Sequence, residues 1–215
     1  MIESTFLIVL MGAAALPVLA IYLWFRITRF PVPLPWFFCC LLGGMVSGFI
    51  ALILGLFVER FLPVSGKAFF VIFRTALIEE LSRIVVLFPL FAVFRRFKWN
   101  DGEYCAAGLI AGLGFALAEA ASYGAAGINI TLLRAFTTAP LHGACGARVG
   151  LSAAAFRENP PTAALRFFSA VVIHMLYNLM ILRSGVFSVL AVLAAFSFLI
   201  SSLIFVRKSR EYLGE

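Results

Sequence analysis

Long apolar segments separated by short polar connectors fill almost all of this 215-residue sequence. A helix needs about 20 apolar residues to cross the hydrocarbon core of a bilayer. By that length the pattern predicts seven membrane-spanning helices, at roughly 5–25, 37–57, 67–94, 104–123, 129–156, 162–182 and 186–206. Proline-rich connectors at 31–35 and 157–162 stop helices from running on. We therefore predict an all-α, polytopic transmembrane helical bundle that forms a single integral membrane domain over residues 1–215.

The positions of the basic residues predict how these helices are oriented. Successive connectors between spans lie on opposite sides of the membrane. Assigned in this way, ten basic residues fall on one side, namely Arg26, Arg29, Arg95, Arg96, Lys98, Arg157, Arg166, Arg207, Lys208 and Arg210. The other side has three, namely Arg60, Lys67 and Arg183. Because Lys and Arg concentrate in cytoplasmic loops, this bias predicts an N-terminus outside and a C-terminus in the cytoplasm. An even number of spans would destroy the pattern, so the charges also favour seven.

Composition supports a membrane protein and excludes several other classes. The chain is 63% hydrophobic and 13% charged, with a mean hydropathy of +1.07. Soluble domains are nearer to half apolar and about a quarter charged. The net charge of +7 therefore reflects topology, and we predict the lipid bilayer and no nucleic acid as a partner. The four cysteines lack CxxC spacing and are predicted to be packing residues.

Small residues recur every four positions in the fourth and fifth predicted spans. Gly108 and Gly112 form one GxxxG pattern, and Gly146 and Gly150 form another. This spacing allows helix backbones to approach closely in lipid. We therefore expect these two spans to pack together at the centre of the bundle.

The third span contains charged residues that are costly in hydrocarbon. Glu79, Glu80 and Arg83 lie within one helical turn of one another. A charge at the bilayer centre costs about 2.5 kcal/mol or more, and such groups usually mark a functional site. Because adjacent residues lie about 100° apart around a helix, we expect only one of the two glutamates to point at the histidines and the other to face Arg83 or a neighbouring backbone.

Further polar residues lie within later spans, at depths similar to that of the glutamates. They are Glu119, His142, His174 and Asn178, and these two histidines are the only ones in the chain. Each buried polar group needs a partner, so one shared pocket costs less than several separate sites. The sequence therefore predicts one polar pocket in the middle-to-outer layer of the bilayer.

Two kinds of chemistry suit this set of residues. A glutamate can activate water as a general base while histidines stabilise an oxyanion or protonate a leaving amine, which is sufficient for amide hydrolysis. Two histidines with carboxylates can also bind a divalent metal with one open position. The HExxH motif of many zinc proteases is missing. The residues alone leave both alternatives open.

The order of the motifs resembles that of a known family. EExxR occurs at Glu79–Arg83, FxxxE at Phe115–Glu119, a single histidine at His142 with Pro140 before it, and HxxxN at His174–Asn178. This succession over roughly residues 70–180 resembles the PrsW family, within the wider superfamily of CAAX-prenyl endopeptidases and bacteriocin-processing proteins. FxxxE in place of FxxxH favours the PrsW branch.

The resemblance implies a membrane-embedded endopeptidase with its catalytic core at about 67–183. Its substrate would be a membrane-anchored protein or peptide, such as an anti-sigma factor cleaved at site 1, and its location a bacterial cytoplasmic membrane. Glu79 or Glu80 would activate water, and Glu119 would hold a histidine. The other residues with implied roles are His142, His174 and Asn178 as catalytic groups, and Arg83 and Phe115 as supporting ones.

Three alternatives accompany this hypothesis. The leading hypothesis needs no cofactor. The first alternative is the same protease with a divalent metal such as zinc, bound by Glu80, Glu119, His142 and His174. The second is a proton- or cation-coupled transporter, against which we find no inverted repeat. The third is a non-catalytic membrane sensor that keeps the same fold.

Overall fold

Seven α-helices make up the computed structural model of the protein, which describes residues 2–61, 68–94, 99–122, 128–183 and 185–211. In chain order they are α1 Ile2–Ile27, α2 Leu34–Phe61, α3 Ala68–Phe94, α4 Asp101–Ser122, α5 Ile128–Ala155, α6 Pro160–Ile181 and α7 Val186–Glu211. No strand occurs within these described ranges. The prediction of an all-α fold is therefore confirmed.

Each predicted span coincides with one of these helices, and the bounds differ by only a few residues. The predicted ends at Lys67 and Tyr123 lie outside the described residues, as do Arg95, Arg96 and Lys98 of the charge pattern. By length and composition, four helices can cross a membrane: α2, α4, α6 and the Val186–Ser209 part of α7. The apolar segment Ala14–Ile27 of α1 is shorter than these four, and α3 and α5 do not reach that standard within the described part of the chain.

The breaks between helices have local chemical causes. After α1, Arg29 adopts a left-handed backbone with φ of 54°, and Pro31 follows. At the start of α4, the Glu103 amide donates to Asn100 Oδ1 at 3.0 Å while the Asn100 amide donates to Glu103 Oε2 at 2.8 Å. This reciprocal capping satisfies two amides that have no partner within the helix. Asn159 caps α6 in a similar way through the Thr162 amide at 3.1 Å.

Helix α4 lies at the centre of the bundle and packs closely against α5. A Cβ atom added to Gly108 would lie 2.2 Å from the Gly146 carbonyl oxygen, and one on Gly112 would lie 2.0 Å from the His142 oxygen. No side chain larger than hydrogen fits at such distances, so the two backbones touch. The prediction of a central, closely packed pair from the two GxxxG patterns is confirmed. We call this contact the glycine seam.

A second close contact joins α4 to α2. A Cβ atom on Gly44 would lie 1.9 Å from the Ala111 carbonyl oxygen, and one on Gly114 would lie 2.0 Å from the Leu41 oxygen. Farther along α2 the contact loosens, because a Cβ atom on Gly48 would lie 3.2 Å from Ala118 Cβ and one on Gly55 would meet nothing within 4 Å. The two helices therefore diverge toward the C-terminal end of α2, where a cavity opens.

Candidate active site

Helices α3 to α6 bring most of the polar residues singled out above into one cluster. Glu79, Glu80 and Arg83 come from α3, whereas Phe115 and Glu119 come from α4. Helix α5 contributes His142 and α6 contributes His174. The rings of the two histidines are 5.1 Å apart between centroids, so residues far apart in the chain meet in one place.

One part of the cluster is fully buried and consists of Glu80, Arg83 and His174, which we call the inner triad. Glu80 Oε2 forms an ion pair with Arg83 Nη1, and Glu80 Oε1 lies 2.8 Å from His174 Nδ1. The carboxylate beside Arg83 can only accept, so His174 carries a proton on Nδ1. Both oxygens of Glu80 are thus engaged, and its side chain has an exposed fraction of 0%.

A second set with the same residue types consists of Glu119, Arg134 and His142, which we call the outer triad. Glu119 Oε1 forms an ion pair with Arg134 Nη2, and Glu119 Oε2 lies 3.0 Å from His142 Nε2. Unlike Glu80, the Glu119 side chain is 21% exposed. The outer triad therefore reaches the edge of the packed core.

Arg83 and Phe115 connect the two triads. Arg83 Nη2 lies 3.3 Å from His142 Nδ1, and because a guanidinium has no acceptor, this nitrogen of His142 accepts. His142 Nε2 then carries the proton and donates it to Glu119. The Phe115 ring lies 4.6 Å from the Arg83 guanidinium carbon and 4.8 Å from the His142 ring. This cation–π contact holds the buried arginine in place.

Glu79 occupies a position different from that of its neighbour Glu80. Its Oε2 is buried, makes no hydrogen bond to any described residue, and lies 3.5 Å from His174 Nε2. The expectation that only one of the two glutamates faces a histidine is wrong. His174 lies between them and presents Nδ1 to Glu80 and Nε2 to Glu79, because a histidine has two nitrogens on different edges of its ring.

Three residues offer ligand atoms that could bind a metal ion together. Glu79, His142 and His174 each provide one such atom, and these atoms lie within 4.8 Å of one another. This set differs from the predicted one in two ways. Glu79 takes the place of Glu80, whose oxygens are engaged by Arg83 and His174, and Glu119 is not part of the set. A carboxylate oxygen without a hydrogen bond beside an imidazole nitrogen fits a divalent ion such as zinc.

A cavity of about 360 Å³ gives access to Glu79 and Glu119 at the edge of the cluster. It lies between α2, α3 and α4, and Glu79, Phe115 and Glu119 line its inner part. Its other lining residues are Gly48, Phe49, Ala51, Leu52, Gly55, Leu56, Arg74, Thr75, Ile78, Ala118 and Ser122. Glu80 and the histidines are not among these residues and lie behind its wall.

Asn178 is the predicted site residue that the structure does not connect to the others. It lies on α6 one turn after His174 and is partly buried. No hydrogen bond joins its side chain to the two triads within the described ranges. The HxxxN spacing correctly places both residues on one helical face, but a shared face does not ensure a shared contact.

Sequence reasoning missed the roles of Arg74 and Arg134. Arg74 lines the cavity and forms an ion pair with Glu59 of α2, and Arg134 pairs with Glu119 of α4. A usable signal was present, since an arginine within an apolar span needs a partner in the bundle. The partners lie 15 residues away in both cases, on neighbouring helices, so local spacing did not identify them.

A family model described as PrsW family intramembrane metalloprotease matches residues 32–204. This chain belongs to the PrsW family. The resemblance inferred from the motifs is therefore confirmed, and the matched region contains both triads and Glu79. None of the curated proteins and none of the solved structures shows a significant match to this PrsW-family chain.

Family membership and the apolar helices together identify a multi-pass membrane protein. PrsW-family membership also implies a membrane peptidase, a hydrolase that acts on membrane-associated substrates in a lipid bilayer. It favours peptidase activity over the transporter and the non-catalytic sensor that the polar residues alone left open.

Proposed function

We propose that this protein is an endopeptidase in which a glutamate activates water to hydrolyse a peptide bond of a membrane-tethered substrate. The observation that carries the proposal is the position of Glu79. Its carboxylate lines the cavity, has a buried oxygen without a hydrogen bond, and lies beside His174 Nε2 at 3.5 Å. A general base needs both access to substrate and a nearby group that orients it.

In this mechanism Glu79 accepts a proton from water, and the water oxygen attacks the carbonyl carbon of the scissile bond. The resulting tetrahedral species collapses, the C–N bond breaks, and Glu79 returns the proton to the leaving amine. Once Glu79 has taken this proton, its carboxyl group can donate to His174 Nε2, which is an acceptor in the Nδ1–H form, and His174 thereby orients Glu79. General base catalysis of this kind contributes about 10² to 10⁴-fold in rate.

The remaining residues act as positioning groups. Glu80 is proposed to hold His174 in its Nδ1–H form, because both of its oxygens are engaged and it does not line the cavity. Glu119 is proposed to orient His142, and Arg83 and Phe115 to support both triads. For Asn178, the motif alone supports a role in orienting water or substrate.

A second candidate is the metal-dependent form of the same protease. The matching family is described as one of metalloproteases, and Glu79, His142 and His174 form a suitable donor set. A bound divalent ion would activate water and polarise the scissile carbonyl. His142 would have to give up its contact with either Glu119 or Arg83 to offer a nitrogen, since both of its nitrogens are engaged.

The test is cleavage of a single-span reporter protein by purified protein in proteoliposomes. We expect Glu79→Gln to lower the rate by about 10³-fold, while Glu158→Gln, an exposed glutamate outside the site, leaves it unchanged. Unaltered cleavage by the Glu79 variant contradicts the proposal. A wild-type sample that stays active after exhaustive chelation, with no metal by elemental analysis, favours the first form. Loss of activity that a divalent ion restores favours the second.

We also propose that all seven helices span the membrane, with the N-terminus outside and the C-terminus in the cytoplasm of a bacterial cell. The distribution of basic residues and the similar lengths of the helices support this topology. The C-terminal end of α2 and the N-terminal end of α3 would then face outward, and so would the mouth of the cavity between them. An extracytoplasmic mouth suits site-1 cleavage of an anti-sigma factor. Labelling of single cysteines from either side of the membrane tests the topology.

A further inference from the structure

The walls of the cavity differ in chemistry. The α2 wall consists only of apolar residues, and three of them are small: Gly48, Ala51 and Gly55. The α3 and α4 walls also contain polar residues, namely Arg74, Thr75, Glu79, Glu119 and Ser122. An occupant that fits these walls has one apolar side and one polar side.

The cavity extends outward from the proposed catalytic groups along α2. Gly48 marks its inner end, because a Cβ atom there would lie 3.2 Å from Ala118 Cβ, next to Glu119. Gly55 lies seven residues farther along α2, which corresponds to about 10 Å at 1.5 Å per residue. An extended peptide rises about 3.3 Å per residue, so this distance accommodates about three residues.

Gly55 provides unfilled space on the apolar wall. A Cβ atom added there would meet no other atom within 4 Å, whereas at Gly48 the same atom would already touch α4. The room for a substrate side chain is therefore at the outer level of the cavity. Large apolar side chains, Leu52 and Leu56, line the wall on either side of it.

We infer that this cavity binds the substrate as an extended segment and that Gly55 determines its specificity. A substrate residue two or three positions from the scissile bond places a large apolar side chain, such as Phe or Leu, in the space beside Gly55. In an extended chain the adjacent side chains point the opposite way, toward Arg74 and Thr75. This inference rests on the proposed function, because it counts substrate positions from the peptide bond whose hydrolysis Glu79 is proposed to catalyse.

The first experiment compares reporter proteins that differ only at single positions near the cleavage site. We expect wild-type protein to prefer Phe over Ala at one position, two or three residues from the scissile bond, by at least about tenfold in kcat/KM. Gly55→Leu should remove that preference by lowering cleavage of the Phe reporter at least about tenfold more than cleavage of the Ala reporter. The matched control is Gly12→Leu on α1, where an added Cβ also meets nothing within 4 Å.

The two outcomes that overturn the inference are clear. One is a Gly55→Leu variant that keeps the wild-type preference. The other is a Gly55→Leu variant that cleaves all reporters equally poorly although its melting temperature matches that of Gly12→Leu. Retained cleavage of the Ala reporter shows that the catalytic groups are intact.

A second experiment needs no variant at position 55 and no turnover. Reporters that carry a photoreactive benzophenone two or three residues from the intended cleavage site are irradiated with wild-type protein. We expect cross-links to α2 between residues 48 and 56, and cross-links confined to α5, α6 or α7 contradict the inference. If no reporter is cleaved but cross-links form on α2, the cavity is supported as a binding site and the proposed activity is contradicted. If reporters are cleaved without cross-links on α2, the proposed activity is supported and only the inference that the cavity binds the substrate is contradicted.

Discussion

The inner and outer triads contain the same three residue types in different surroundings. In each, a carboxylate joins an arginine to a histidine. The inner carboxylate, Glu80, is fully buried, whereas the outer one, Glu119, is 21% exposed and lines the cavity. Burial raises the cost of leaving a charge unpaired, so the same contact has different consequences in the two places.

Because of this difference, we assign a positioning role to the inner triad and direct contact with the cavity to the outer triad. The inner triad resembles a fixed support, since neither Glu80 nor Arg83 lines the cavity and both are completely enclosed. The outer triad meets the cavity through Glu119 and can respond to what enters it. Glu79 lies between them, with a side-chain exposure of 16% and a contact to the inner histidine.

The largest expected effect comes from breaking the inner triad. Glu80→Ala leaves Arg83 buried without its carboxylate, and removing one member of a buried pair costs about 3–5 kcal/mol. We expect a strongly lowered melting temperature together with loss of cleavage, measured by thermal unfolding in detergent and by the reporter assay.

A double variant, Glu80→Met with Arg83→Met, serves as the control for this prediction. Removing both charges restores thermal stability if the unpaired arginine causes the loss, because apolar residues of similar size often replace a buried pair without cost. Cleavage should stay absent, since His174 has lost the group that orients it. Wild-type stability in Glu80→Ala alone contradicts the assignment of a buried support.

Breaking the outer triad should have a smaller effect on stability than on activity. Glu119→Ala removes the partner of His142 and a charge from the cavity wall, so we expect about a 10²-fold loss of cleavage. The melting temperature should change little, because ion pairs with solvent access contribute about 1 kcal/mol or less. A loss of stability as large as that of Glu80→Ala would make the two triads equivalent and remove the distinction.

The smallest expected effect comes from the ring that joins the triads. Phe115→Leu keeps an apolar side chain at this buried position but removes the cation–π contact with Arg83 and the packing on His142. Such contacts contribute about 1–2 kcal/mol when buried, so we expect a modest fall in melting temperature. Cleavage should fall by about tenfold or less, and an effect as large as that of Glu119→Ala contradicts a supporting role.

Sequence reasoning predicted the helices and the glycine seam because both depend on local spacing. Segment length determines the helices, and GxxxG at Gly108 and Gly146 indicates close backbones whichever way the bundle is arranged. The convergence of the histidines with the glutamates followed from the cost of isolated polar groups in lipid. These inferences need no knowledge of how the helices are rotated.

The remaining features depend on that rotation. Which glutamate lines the cavity depends on how α3 turns relative to α2 and α4, and the same holds for Asn178 on α6. The pairing of Arg134 with Glu119 joins residues on two helices, and spacing within one helix cannot reveal it. The apolar wall of α2 contains no charged residue at all, so its sequence resembles that of any lipid-facing helix.

The glycine seam also limits how this protein can open. Helices α4 and α5 touch backbone to backbone at Gly108, Gly112 and Gly146, so neither can rotate or slide without a collision. This close packing places Glu119 of α4 beside His142 of α5. Helix α2 has no such constraint beyond Gly48, where its contacts with α4 widen. Separating α2 from α3 on this side of the cavity has to break the Glu59–Arg74 ion pair, whereas the contact between α4 and α5 is not involved.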